Sequence, residues 1–246
     1  MDNLAQVWGV VLICSLVQSV FGVGLLLIGT PLLLLLDVPF GTALWLLLPA
    51  SLTISLLQLV LSPRIDRDSV RKVSAYALPS LIVGVLVSLN GIRAPQLDVL
   101  VALVLLGSAL MRIVGRFASN LRIFSTRHDS AMLALIGFVH GFSNLGGGLL
   151  AAYATARHVD KHAARETIAV AYALFATTQL VVLTLMGNMQ IGSVTIVMVC
   201  TAAMTFLTLG RIAFRRLSIA LFNSIFTVLM LIMAALLIMK SARIFA

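Results

Sequence analysis

Charge is what this chain has least of. Only 10% of its 246 residues are Asp, Glu, Lys or Arg, 61% are hydrophobic, and the mean hydropathy is +1.13. A soluble domain needs a charged surface, so this composition excludes one and points to a protein embedded in lipid. Acidic residues number 8 against 17 basic ones. Asp37, Asp98, Asp129, Asp160 and Glu166 all lie near the ends of apolar stretches, which argues against a pump run by a buried acid and against a cation channel with an acidic ring. No Lys or Arg lies in the middle of an apolar stretch either. Cysteine is equally scarce. Cys14 and Cys200 both sit inside apolar stretches as small hydrophobes, so no disulfide and no metal site is implied. The longest polar stretch is roughly residues 112–129, which leaves nothing for a soluble domain. The first apolar stretch lacks a basic leader region and an A-x-A-like site, so it does not read as a cleaved signal peptide.

What is present is a set of eight apolar stretches: Leu4–Leu36, Phe40–Leu61, Val73–Leu89, Leu97–Val114, Ser130–Ala156, Thr167–Met186, Ile191–Leu209 and Leu217–Met239. Each is about long enough to cross a hydrocarbon core of roughly 30 Å, and a crossing segment must be helical because lipid cannot satisfy backbone polar groups. The expected fold is an all-α integral membrane protein.

Two stretches carry glycine knots. Gly22-Val23-Gly24-Leu25-Leu26 lies in the first and Gly146-Gly147-Gly148-Leu149-Leu150 in the fifth, 124 residues apart and half the chain. Two interrupted hydrophobic segments at matching places in two halves point to a transporter's binding site. A glycine patch alone more often serves close helix packing in lipid; matched knots in over-long segments favour a site.

Counting cations gives the topology. With eight crossings the 17 basic residues divide 10 to 7, which orients nothing. If the two knotted stretches are re-entrant hairpins, the loops at 62–72, 112–129, 157–166 and 209–216 share one side and hold 14 basic residues, leaving Arg93, Lys240 and Arg243 opposite. That split obeys the positive-inside rule, placing these loops in the cytoplasm and both termini outside. A hairpin plus three crossings is an odd number. The expected organisation is therefore two inverted repeats, 1–120 and 121–246, within one membrane domain. The net charge of +9 reflects orientation signals rather than nucleic-acid binding.

A helix restarting after each knot, at Leu25 and Leu149, presents unpaired N–H groups and a partial positive charge, which makes an anion site without a buried cation. The candidate substrate-binding residues are Ser19, Gly22, Val23, Gly24, Leu25, Ser143, Asn144, Gly146, Gly147 and Gly148. Thr30 and Pro31 lie on the first arm and Gln18 sits further back. His140 reads evenly as a proton-coupling residue or as a neutral packing residue. Tyr153, Tyr172, Gln179, Gln58 and Asn223, each taken alone, read as interhelical hydrogen-bonding residues. The cluster His158, Asp160, Lys161, His162, Arg165 and Glu166 invites a metal reading, which its place in a basic loop disfavours. No cofactor and no metal is expected, and no paired acid, Ser–Lys pair or metal-ligand spacing inside the stretches suggests an enzyme.

The knots opening apolar arms, FGVGLLLIGTPLLLLL and NLGGGLLAAYATAR, in two halves of four stretches, resemble the TauE/SafE sulfite exporter family along essentially the whole chain. The family's G-x-G-G-G-x₃₋₄-P pattern is divided here: the first knot keeps Pro31 without the glycine triplet, and the second has the triplet without the proline. The resemblance implies a bacterial inner-membrane transporter of sulfur-containing anions such as sulfite, thiosulfate or sulfoacetate, with the lipid bilayer around it and a homodimer allowed. An anion channel and a non-transporting membrane scaffold are the competing readings.

Overall fold

The computed structural model describes residues 4–61, 67–90, 94–115, 129–158, 160–187, 192–216 and 219–245. The expected boundary near residue 120, and Arg64, Arg93, Arg116, Arg122 and Arg127, lie outside them, as does the side chain of Asn223.

Among the described residues all regular structure is helical. The described residues form ten helices: α1 (Leu4–Phe21), α2 (Leu25–Leu35), α3 (Phe40–Val60), α4 (residues 67–90) and α5 (Ala94–Gly115), then α6 (Asp129–Ser143), α7 (Gly147–Arg157), α8 (Lys161–Leu185), α9 (residues 193–216) and α10 (Ile219–Phe245). Both α4 and α9 contain one wider π-helical turn, at Val73–Ala77 and Phe206–Gly210. Five helices are long and apolar enough to cross a membrane: Leu4–Phe21, Phe40–Val60, Arg67–Leu89, His162–Leu185 and Ser193–Phe214. Shorter apolar runs fill Leu25–Leu35, Asp98–Leu110, Asp129–Ser143 and Thr227–Ala242.

Ion pairs identify the two ends of the bundle. At one end Arg157 and Lys72 both pair with Asp129, and the Tyr153 hydroxyl donates to the same carboxylate at 2.8 Å. The start of α6, the end of α7 and the start of α4 therefore meet there. At the other end Lys240 pairs with Asp37 at 2.7 Å and Asp98 at 3.5 Å, and donates to the Leu34 carbonyl. That joins the end of α10, the end of α2 and the start of α5. Helix α1 runs parallel to α9: the Trp8 indole donates to Thr201 at 3.0 Å, and Ser19 lies against Gly210 further along. Helix α9 finishes with Phe214 against His162 and Arg165, at the start of α8 and hence at the Arg157 end. So α1 starts near the Lys240 end, where α2 finishes. Each glycine-broken segment returns to the end it left, and the two open from opposite ends. Their arms are unequal, 18 and 11 residues in the first and 15 and 11 in the second, rather than two equal halves.

The packing repeats between the halves. Helix α1 packs on α9 as α6 packs on α4; α2 touches α10 as α7 touches α5; α3 and α8 pack on each other. The α4–α6 approach is the closest. A methyl group at Gly137 or Gly141 would collide with the backbone carbonyls of Ala77 and Leu81, and one at Gly84 with that of Phe138. Lipid supplies no hydrophobic force between helices, so small residues one turn apart, as in Gly137-x-x-x-Gly141, let backbones touch and gain dispersion and weak C–H···O contacts.

Candidate functional site

The first knot is closed by its own side chains. Gly22 takes the left-handed conformation (φ 76°), and its N–H donates to the Gln18 carbonyl at 2.8 Å. A glycine suits this turn because a Cβ is strained there. Gln18 is fully buried. Its Oε1 accepts from the N–H of Leu25, the first residue of α2, at 3.3 Å, while its Nε2 donates to the Ser51 carbonyl at 3.0 Å and the Ser55 hydroxyl at 3.3 Å. Ser51 donates back to Oε1 at 3.1 Å. Gln58 Nε2 donates to the last carbonyls of α1, those of Gln18 (3.0 Å) and Ser19 (3.3 Å). Buried helix ends need such partners, and here the protein supplies them.

The second knot repeats the left-handed turn and its backbone hydrogen bonds with different side chains. Asn144 is left-handed (φ 64°), and its N–H donates to the His140 carbonyl at 2.7 Å. Ile28 N–H donates to the Gly24 carbonyl as Leu150 N–H donates to that of Gly146. Equivalent backbone positions at the knots are thus 122 residues apart, pairing Gln18 with His140 and Gly22 with Asn144, and not the 124 that aligning the glycines implies. Ser51 and Tyr172 are each the twelfth residue of their helices, α3 and α8, and Gln58 and Gln179 each the nineteenth.

Beyond the first knot, several buried polar atoms of α5, α8 and the second glycine-broken segment are unpaired among the described residues. His140, Tyr172, Gln179 and Asn144 are fully buried. The His140 ring lies 5.3 Å from that of Tyr172 and 4.7 Å from that of Phe175. The Tyr172 hydroxyl presses against Gly147, where a methyl group would collide with it. Ser108 of α5 faces Gly148, its Oγ 3.2 Å from where a Cβ would stand. Among the described residues, both ring nitrogens of His140, the Tyr172 hydroxyl, both amide atoms of Gln179, Asn144 Oδ1 and Ser108 Oγ have no hydrogen-bond partner. An unpaired buried polar group costs roughly 1–3 kcal/mol, so such a concentration is the sign of a site for something else.

The other sequence-derived candidates fall as follows. The Ser19 hydroxyl donates to the Ser15 carbonyl at 2.6 Å and faces Gly210. Val23 and Leu25 are buried core. Gly24 lies against the Gln18 backbone, and Gly22 against Ile168 and Arg165. Ser143 donates to the Val139 carbonyl at 2.7 Å and accepts from Leu145 N–H at 3.3 Å, capping its own turn. Gly146 packs on His140. Asn144 Nδ2 donates to Thr30 Oγ1 at 2.9 Å, so the second knot touches α2 directly. In the 158–166 cluster, Asp160 caps α8 by accepting from Ala163 N–H at 3.0 Å, His158 pairs with Thr167 at 2.9 Å, and Arg165 stacks on Phe214 at 3.7 Å. No group of three metal-ligating side chains occurs among the described residues. Sequence reasoning missed the Gln18–Ser51–Ser55–Gln58 network and the meeting of His140 with Tyr172. Matching Gln18-x₃-Gly22 to His140-x₃-Asn144 was the signal available for both.

No curated protein and no solved structure matches the chain. A protein-family model described as "Sulfite exporter TauE/SafE" matches residues 7–237, nearly its whole length. With that match, and with an all-helical bundle built around two glycine-broken segments, the chain belongs to the TauE/SafE sulfite exporter family.

Proposed function

We propose that this chain is a secondary transporter that exports a small sulfur-containing anion, sulfite or an organosulfonate such as sulfoacetate, across the bacterial inner membrane. Family membership supports the class of cargo. The observation that carries the site is the gathering of uncharged, unpaired polar groups at the buried start of α7. Neutral donors and a helix N-terminus suit an anion that must be released as well as bound, because they attract negative charge without the grip of a buried cation. The Asn144–Thr30 hydrogen bond puts the second knot beside the arm that follows the first, and the anion is held in this glycine-broken region.

The two halves, 1–120 and 121–246, act as inverted repeats that rock about the α3–α8 contact to expose the site to each side in turn. Both termini face outward and the four basic loops face the cytoplasm. His140 is the candidate proton-coupling residue, and homodimerisation is compatible with this arrangement.

Binding of sulfite, sulfoacetate and taurine to the purified protein, followed by flux in proteoliposomes, tests the reading. Sulfoacetate should bind more tightly than taurine, whose ammonium would face the positive helix end. Flux should saturate. Equal affinities for the two ligands would remove the electrostatic site, and unsaturable flux would make the protein a channel.

A further inference from the structure

We infer that the two knots are not equivalent: the anion is held at the second, by Tyr172 and His140 over the start of α7, while the first is a structural knot already filled by the protein's own glutamine. This rests on the transport reading above and divides its site unequally between the halves.

Equivalent positions in the two halves carry different side chains. In the first half the group four residues before the left-handed turn is Gln18. Its carbonyl oxygen accepts from the first N–H of α2, which is where an anion's oxygen would otherwise sit. Ser51 and Ser55 hold that amide in place, and Gln58 completes the turn. In the second half the same positions hold His140 for Gln18, Tyr172 for Ser51 and Gln179 for Gln58. None of their polar side-chain atoms finds a partner among the described residues, although all three residues are fully buried. The Tyr172 hydroxyl meets the first residue of α7, Gly147, the counterpart of Leu25. A neutral imidazole offers one N–H and a phenol one O–H. With the backbone N–H groups of the α7 first turn, these are donors converging where the first half already has its own acceptor. Ser108, facing Gly148, brings a further hydroxyl from α5.

The proposed ligand is therefore a compact oxyanion accepting from a phenol, an imidazole and a helix start. Such hydrogen bonds to a charged group are worth about 1.5–3 kcal/mol, which corresponds to roughly ten- to hundredfold in affinity.

Tyr172→Phe and Ser51→Ala occupy the equivalent positions and decide the question. Purified wild type and both variants are compared for thermal midpoint without ligand and for affinity toward sulfite and sulfoacetate. Tyr172→Phe removes a hydroxyl that no described residue satisfies, so its ligand-free midpoint should equal or exceed that of wild type while its affinity falls about ten- to hundredfold. Ser51→Ala breaks the Gln18 network, so its midpoint should fall while its affinity stays within about twofold. Unchanged affinity in Tyr172→Phe, or an equal loss in Ser51→Ala, overturns the inference. Should wild type bind neither anion, the transport reading fails. The midpoints then still judge the asymmetry, and a lower midpoint for Tyr172→Phe than for Ser51→Ala overturns it.

Discussion

Asn144 and Thr30 are 114 residues apart in the chain and hydrogen-bonded at 2.9 Å, the Asn144 amide donating to the Thr30 hydroxyl. Both are fully buried, and the bond joins the left-handed turn of the second knot to the middle of α2. Motion of one knot is thereby tied to the arm of the other.

Removing that tie should show as coupling. Asn144→Gly keeps the left-handed backbone and deletes the amide, and Thr30→Val deletes the hydroxyl while keeping the shape. Each should slow anion flux severalfold, and the double variant should be little worse than either single one. A double-mutant cycle in proteoliposomes measures the interaction, expected at about 0.5–1.5 kcal/mol. Independent, additive losses would mean that the two residues act separately.

The α4–α6 contact should tolerate no side chain. Gly141→Val would drive a branched side chain into the Leu81 backbone, which cannot move as a side-chain tip can. The expected cost is about 3 kcal/mol or more, read as a lowered melting midpoint in detergent. Gly107→Ala, where nothing lies within 4 Å of the added methyl, is the control and should change little.

Gln18→Ala should destabilise the protein rather than merely slow it. It strips the N–H of Leu25 and the hydroxyls of Ser51 and Ser55 of a partner in a buried place. Leaving such groups unsatisfied costs roughly 1–3 kcal/mol. Denaturation midpoints measure the loss, and a midpoint equal to that of wild type would show that the cap is dispensable.

The orientation is checked with single cysteines. Cys14 is replaced by alanine and Cys200 by serine, and a cysteine is placed at Asn3 or Ala246. A membrane-impermeant maleimide should label both positions from outside intact cells, because the basic loops hold the opposite side. Labelling only after lysis would reverse the assignment.

Much of the fold was legible because its cause is local. Apolar stretches with no charges have to be helices in lipid, and Gly22–Gly24 and Gly146–Gly148 had to interrupt two of them. The count of cations argued for re-entrant segments, and the ion pairs at Asp129 and Lys240 show which helix ends meet. The register between the halves was misread for a physical reason. Glycines were taken as the invariant, but the backbone needs a left-handed residue, and asparagine fills that role in the second half.

The sequence by itself determined that the chain lies in lipid, that it is helical and that two helices are broken by glycine. These follow from solvation and backbone sterics, which act residue by residue. Only the tertiary structure decided which polar residues are spent on the protein and which are left over. Ser19 and Ser143 looked like ligand donors, and each is engaged with its own backbone. Tyr172 looked like an ordinary interhelical hydrogen-bonding residue and His140 evenly like a coupling or a packing residue; their rings lie together, and among the described residues their polar side-chain atoms have no partner. Whether a hydrogen-bonding group is satisfied depends on what lies within about 3 Å of it, and in a bundle whose neighbours come from opposite halves of the chain that is settled only by packing.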